Sequence, residues 1–309
     1  MVKTKSNSKR FNKIIIGLSF IITVFLLVTI IVTVNLIRLR KQKESEIYDI
    51  KAVLSETQEK YTIALEEVEH ISENINSIKN IETSIVDIKK DFFDNALKYE
   101  TMVSEGKGSK RIAYLTIDDG PYPLTPAFLD VLDQYDILAT FFLLGKIGNQ
   151  YDQIYKRIAE SGHTVANHTY SHAIRDGLYV TVDSFINDVL KQERFLYEKT
   201  GVKTNILRFP GGSSSALPPY RYRILERLRK YNYGYVDWNV SAGDGAKGPT
   251  KESTYNNIIN GARNKKIIVI LMHDYSRPTL SSLPLVIEQL KKDDFIFLPL
   301  FYESSMIIK

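Results

Sequence analysis

The sequence predicts an α/β fold set behind a transmembrane helix and a helical stalk, and three observations carry that prediction. Residues 14–37 form an apolar run without a charge. Residues 38–104 hold sparse apolar side chains at heptad spacing. From residue 105 onward, short runs rich in branched and aromatic residues alternate with amphipathic stretches. The chain of 309 residues divides accordingly into a short basic cytoplasmic tail (1–13), a membrane anchor (14–37), a helical or coiled-coil stalk (38–104) and a globular domain (105–309).

Charge follows the same division. Residues 1–43 contain nine Lys/Arg and no acid, which leaves 32 basic against 36 acidic residues in the remainder. The overall charge of +5 therefore comes from the N-terminus, and the globular part offers nucleic acid no electrostatic footprint. The chain has no cysteine, which removes disulfides and thiolate metal ligands.

Ile14–Ile37 is apolar on every side, whereas a buried core helix of that length shows a polar face. As a helix it spans about 36 Å, enough for a bilayer core of about 30 Å with some tilt. Basic residues stand before it (Lys3, Lys5, Lys9, Arg10, Lys13) and after it (Arg38, Arg40, Lys41, Lys43), so the charge bias across it is slight. A single-pass protein with the tail inside and the large part outside the cell is the expected orientation, and it leans on the chemistry below. In the stalk, Ile47, Ile50, Leu54, Thr57, Tyr61, Ala64, Val68, Ile71, Ile75 and Ile78 step by three and four. A skip at Ile81 precedes Ile85, Ile88 and Phe92, and the lone His70 lies among glutamates as a solvated residue. Self-association through this seam, pairing with another helix and packing back on the domain all fit it.

After the polar linker Glu105–Ser109, strands are predicted at Ile112–Ile117, Ala139–Leu144, Asn205–Phe209, Tyr233–Val240, Ile267–Met272 and Phe295–Leu298, with a further short one before Asn167. Helices are predicted at Pro126–Tyr135, Tyr151–Glu160, Val182–Thr200, Tyr220–Lys230, Ser253–Asn264 and Leu283–Lys291. About seven such repeats suit a barrel with its working groups at the C-terminal ends of the strands, and an open doubly wound sheet fits the periodicity equally.

Polar residues cluster at those ends. Thr116-Ile-Asp118-Asp119-Gly-Pro121 places two adjacent carboxylates where a buried strand leaves the sheet. Acids so close repel unless a cation or proton sits between them, which suggests a metal site or acid–base chemistry. His168-Thr-Tyr-Ser-His172 puts two imidazoles four apart after another strand; two imidazoles and a carboxylate make a Zn²⁺ or related divalent site. His163, just upstream, reads as structural. Arg208-Phe-Pro-Gly-Gly212 offers a guanidinium that can hold a carboxylate bidentately and glycines whose N–H groups can approach an oxyanion. Asp244 ends a further strand, and His273, in Leu271-Met-His-Asp274, can act as a general acid, unless Asp274 merely satisfies it.

In this order and with these gaps, TIDDGP, NHTYSH, RFPGG, DWNVSAGD and LMHD resemble the five signature motifs of the polysaccharide deacetylase family, carbohydrate esterase family 4, across roughly residues 110–300. The resemblance, to membrane-anchored peptidoglycan N-acetylglucosamine deacetylases in particular, implies a distorted (β/α) barrel and the removal of N- or O-acetyl groups from a glycan. Residue by residue it implies Asp118 as general base, with Asp119, His168 and His172 as ligands of one divalent metal, zinc before cobalt, manganese or nickel. It further implies His273 as general acid, Asp244 tuning that histidine, Arg208 holding Asp118, Leu271 lining the acetyl pocket, and Pro210 and Gly211 on the substrate and oxyanion side. The implied partners are a cell-wall glycan and, through the N-terminal helix, the membrane. Three positions depart from the family pattern: Gly211 where many members have Tyr, Gly245 where a Trp often follows the fourth-motif acid, and Leu138 where some members place a basic residue contacting that acid. None removes a ligand, the base or the acid, so activity with an altered groove is expected. The implied activity is deacetylation of peptidoglycan N-acetylglucosamine; another acetylated glycan (N-acetylmuramic acid, a chitin-type or exopolysaccharide polymer, O-acetyl xylan) and a catalytically silent wall-binding scaffold are the alternatives.

Overall fold

A computed structural model describes residues 91–309. The anchor expected at 14–37 and most of the stalk lie outside the described residues; of the stalk, residues 91–104 are described and are helical. Glu100–Lys309 belong to the compact unit that carries the sheet.

Eight parallel strands build that sheet: β1 (Arg111–Gly120), β2 (Thr140–Leu143), β3 (Thr164–Asn167), β4 (Ile206–Leu207), β5 (Gly234–Tyr235), β6 (Val240–Ser241), β7 (Ile267–His273) and β8 (Phe295–Phe297). Seven of them follow the order β5-β4-β3-β2-β1-β7-β6. The eighth, β8, pairs with Arg111–Ala113 of β1, while β2 pairs with Thr116–Gly120. Among the described residues no ladder joins β5 to β6, so the expected barrel of about seven strands is present as an open one.

Among the described residues, six helices cover it: α1 (Thr125–Tyr135), α2 (Asn149–Glu160), α3 (Val182–Thr200), α4 (Tyr220–Lys230), α5 (Lys251–Ala262) and α6 (Arg277–Lys292). Thr181 and Thr250 each close a capping box with the serine three residues on, which fixes where α3 and α5 begin. The core continues under the helices; Phe185, Ile186 and Val189 of α3 and Ile224 and Leu228 of α4 pack with Leu207 and Phe209.

Two elements differ from expectation. Tyr233–Val240 is two short strands, because the Val236 and Asp237 carbonyls accept from the Arg208 guanidinium (3.1 and 3.2 Å). α6 starts at Arg277, six residues before the apolar run at Leu283, because Ser276 caps it and Pro278 is tolerated in its first turn.

At the opposite end of the strands from the polar clusters, His163 accepts a hydrogen bond from the Ala139 N–H (3.1 Å) and packs edge-on against Phe141. Burial, then the nearby Arg157 charge, pushes its pKa down to about 3, so it is a neutral core histidine. Leu138 lies at this same end, beside Gly162, and does not face Asp244 as the resemblance implied; Asp244 is bound instead by Thr279 and His273.

Candidate active site

β1 delivers two acids to one place although a strand alternates its side chains. The register with β2 pairs Asp118 with Phe142 and Gly120 with Leu143, so Asp119 is the extra residue of a bulge, and its φ is +70°. Such a bulge re-aims a side chain that would otherwise point away. Gly120 is required next: a Cβ there would lie 2.5 Å from the buried Asp274 carboxylate.

The His168–His172 pair arrives on a loop, not on a helix. Thr169 and His172 both have left-handed backbone (φ +67° and +54°). Other residues hold the loop in that form. The Asn167 carboxamide accepts from the Thr169 N–H (2.8 Å), and Asp188 of α3 accepts from the Tyr170 and Ser171 N–H groups (2.6 and 2.9 Å). Strain of this kind persists only where the surroundings over-determine it.

The two imidazoles close on Asp119. His168 Nε2 lies 3.4 Å and His172 Nε2 3.3 Å from Asp119 Oδ1, and the three atoms lie within 4.8 Å of one another. His168 Nδ1 is 2.8 Å from the Arg208 carbonyl, which can only accept, so Nδ1 carries the proton and Nε2 presents a lone pair. Asp119 Oδ1 is buried without a hydrogen-bond partner. Burial pushes the Asp119 carboxyl up, but the adjacent His168, then the charges of His172 and His273, bring it down to about 2. For His172, burial and then the His168 charge outweigh the two aspartates and lower the pKa.

Asp118, also buried, is held through one oxygen. Arg208, fully enclosed, gives one guanidinium nitrogen to Asp118 Oδ1 (2.8 Å) and to Thr116 Oγ1 (2.7 Å), and the other donors go to the main-chain carbonyls of 236 and 237. The expected bidentate fork on Asp118 is therefore a single-nitrogen contact. It leaves Asp118 Oδ2 turned toward His168 Nε2, 3.7 Å away.

On the other side of Asp119, His273 Nε2 lies 3.9 Å from Asp119 Oδ2. Its Nδ1 is 2.8 Å from Asp244 Oδ1, and Asp244 Oδ2 accepts from the His273 N–H (2.8 Å) and the Thr279 hydroxyl (2.7 Å). Burial lowers the His273 pKa, but the Asp244 bond and charge, then the Asp118 and Asp119 charges, raise it above its ordinary value. Asp274 makes no hydrogen bond to His273; it accepts from Thr125, and burial pushes its pKa up to about 7.

Leu271 sits two positions before His273 on β7 and so shares its face. Gly211 has φ +74°, and a Cβ there would meet Ser215 Oγ at 2.7 Å. The Tyr179 hydroxyl donates to the Pro210 carbonyl (2.8 Å) and steadies this turn.

Lys146 was not visible as a site residue in the sequence. It donates to the Asp119 carbonyl (2.8 Å) and lies over the Tyr122 ring, and burial lowers its pKa to about 8 against the pull of Asp274 and Asp119. Asp188 and Thr279 escaped for the same reason: their partners are distant in sequence, and no local pattern marks them.

The donor set fits a divalent cation. Two atoms each about 2.0–2.1 Å from the centre of a tetrahedron lie about 3.3 Å apart, and the Asp119–His172 and Asp119–His168 separations are 3.3 and 3.4 Å. A buried oxygen without a hydrogen-bond partner, facing two imidazole nitrogens, is costly unless something positive joins them.

Known proteins resemble this chain in sequence and fold. The polysaccharide deacetylase family model matches residues 105–236. A peptidoglycan-N-acetylglucosamine deacetylase of Bacillus cereus is 34% identical over 211 residues, which cover 65% of this chain and 71% of that protein. Among solved structures, the catalytic domain of a peptidoglycan N-acetylglucosamine deacetylase from Eubacterium rectale is 32% identical with a TM-score of 0.61, covering 65% of this chain and 93% of its own. A CE4 esterase from Streptococcus mutans is 29% identical with a TM-score of 0.58, covering 65% and 91%.

Proposed function

The chain belongs to the polysaccharide deacetylase family, and from that premise we propose that it is a metal-dependent hydrolase that removes the N-acetyl group from N-acetylglucosamine of peptidoglycan. The observation that carries the reading is the convergence of Asp119, His168 and His172 between Asp118 on one side and His273 on the other. The names of the relatives support the choice of glycan.

In this reading Asp119, His168 and His172 hold one divalent ion, with zinc favoured by the imidazole-rich set. When bound, such an ion supplies Lewis-acid polarisation of the acetyl carbonyl and acidifies a water. Asp118 is the base: Arg208 occupies Oδ1, so Oδ2 is the oxygen that takes the proton of the attacking water. The Gly211 N–H, on a turn with left-handed backbone, donates to the oxygen that becomes negative in the tetrahedral state. His273 is the acid. Its Nδ1–H is engaged by Asp244, so Nε2 delivers the proton to the departing amine as the C–N bond breaks, giving acetate and a free amino sugar. Asp244 favours the protonated ring that this step needs. Leu271 lines the space for the acetyl methyl group.

The apolar run at 14–37 supports an anchored protein with residues 105–309 outside the cell, and the heptad pattern of 38–104 supports a stalk that extends its reach to wall polymer.

The test is acetate release from purified peptidoglycan, from N-acetylglucosamine oligomers and from O-acetylated xylan by the zinc-loaded chain. Release from peptidoglycan is expected. Release from xylan alone would overturn the substrate assignment, and glycan binding without release from any polymer would favour a scaffold.

A further inference from the structure

The turn after β7 carries an aromatic side chain that the proposed chemistry does not use. Tyr275 stacks on the His273 imidazole, with centroids 5.0 Å apart and planes 26° apart. Tyr122, in the turn after β1, meets Tyr275 edge-on at 5.4 Å and 71°. The Lys146 ammonium covers the Tyr122 ring at 3.2 Å while it donates to the Asp119 carbonyl. The two rings are therefore braced from both ends by residues of the site.

Even so braced, Tyr275 keeps 37% of its surface exposed, and its hydroxyl makes no hydrogen bond among the described residues. Beside it the rim is open. A Cβ at Gly245 would stand 3.4 Å from His273 Cε1 and 3.8 Å from the Tyr275 hydroxyl oxygen, and glycine leaves that space vacant. A rigid ring with an apolar face and a free polar tip, at the mouth of a site, is a surface for a ligand with both characters. A pyranose has them: axial C–H bonds form an apolar face, and hydroxyls ring its edge.

We propose that Tyr275, backed by Tyr122, is the wall against which a pyranose ring of the substrate lies, its hydroxyl reaching a sugar hydroxyl across the gap at Gly245. This makes Tyr275 a specificity-determining residue, and the assignment rests on the glycan-deacetylase reading above. The leaving amine and the sugar that bears it lie on the His273 side in that reading, which is the side the stacked ring occupies.

The experiment uses the full-length, zinc-loaded chain and its Tyr275→Ala and Tyr275→Phe variants. The probes are an N-acetylglucosamine tetramer and 4-nitrophenyl acetate, an acetyl ester without a sugar. Calorimetry gives the tetramer Kd, and turnover gives KM and kcat on both probes. Tyr275→Ala is expected to raise Kd and KM for the tetramer about tenfold, with kcat on the ester within about twofold of wild type. Tyr275→Phe keeps the ring and loses a smaller part of the affinity. Unchanged Kd and KM in Tyr275→Ala would overturn the proposal. So would an equal fall in kcat on both probes at constant Kd, the signature of a ring that only props His273. If wild type binds the tetramer more tightly than Tyr275→Ala yet releases no acetate from it or from peptidoglycan, the wall stands and the deacetylase reading falls. If wild type releases acetate and Tyr275→Ala matches it, the wall falls and the deacetylase reading stands. No binding of the tetramer by wild type, with no acetate released from it or from peptidoglycan, overturns both.

Discussion

Replacing Arg208 by Met isolates the contact that holds the proposed base. Methionine keeps most of the buried aliphatic volume beside Phe142, whose ring lies 4.2 Å from the guanidinium carbon. It removes the cation next to Asp118, a carboxylate only 2% exposed, and strips the Val236 and Asp237 carbonyls of their guanidinium donor. Breaking a buried ion pair from one side costs about 3–5 kcal/mol. Each orphaned carbonyl adds up to about 1–3 kcal/mol where water cannot reach it. Local relaxation limits the sum, so a loss of about 4 kcal/mol is expected, a large part of the ~5–15 kcal/mol that holds a domain together. The only tryptophan, Trp238, lies 5.8 Å from the Arg208 guanidinium and reports unfolding of this region by fluorescence in urea. Arg208→Lys should recover only part of the deficit, since an ammonium cannot reach four acceptors from one position. A loss below about 1 kcal/mol, or full rescue by Lys, would show that the guanidinium geometry does not hold Asp118.

Asp244→Asn should lower the pKa of His273 in the metal-free protein, read by histidine NMR; no change would remove Asp244 as the tuning group. Because His273 is raised in the folded state, its contribution to stability is complete below the unfolded value near 6.5 and is lost as pH rises through the folded one. The variant should therefore lose more stability at about pH 5.5 than at about pH 9, and the reverse order would contradict the assignment. Lys146→Met frees the Asp119 carbonyl and should weaken zinc binding by about tenfold in a competitive chelator titration; wild-type affinity would mean that the bulge holds Asp119 unaided. Gly211→Ala puts a Cβ 2.7 Å from Ser215 Oγ at a left-handed φ and should cost about 1–2 kcal/mol in the same urea assay, with a fall in kcat larger than any change in KM. An unaltered kcat would take the Gly211 N–H out of the chemistry.

Much of the site was legible because a parallel α/β fold puts its working groups at strand ends, and strands can be read from apolar runs. Asp118, Asp119, His168, Arg208, Asp244 and His273 all follow such runs, and the structure brings them together. Their exact support was not legible. The bulge that turns Asp119 toward the histidines depends on the register with β2, a non-local quantity. Asp188 looks like any polar position of a long amphipathic helix until its carboxylate is seen to accept from the loop of His172. The β5–β6 break could not be read because Tyr233–Val240 has good strand composition, and only the distant Arg208 diverts its carbonyls. Leu138 was misplaced for a related reason. Aligning motifs fixes positions along the chain but not the end of the strand at which a loop residue lies.

In the proposed reaction one divalent ion, gripped by Asp119, His168 and His172, is needed for acetate release. Zinc content and acetate release from peptidoglycan should be measured on the same samples of wild type and Asp119→Ala, each stripped with a chelator and then resupplied with zinc. Wild type should regain one zinc per chain together with its activity, while Asp119→Ala keeps its fold and regains neither. Release of acetate by the stripped wild type, or by Asp119→Ala without bound zinc, would contradict that requirement.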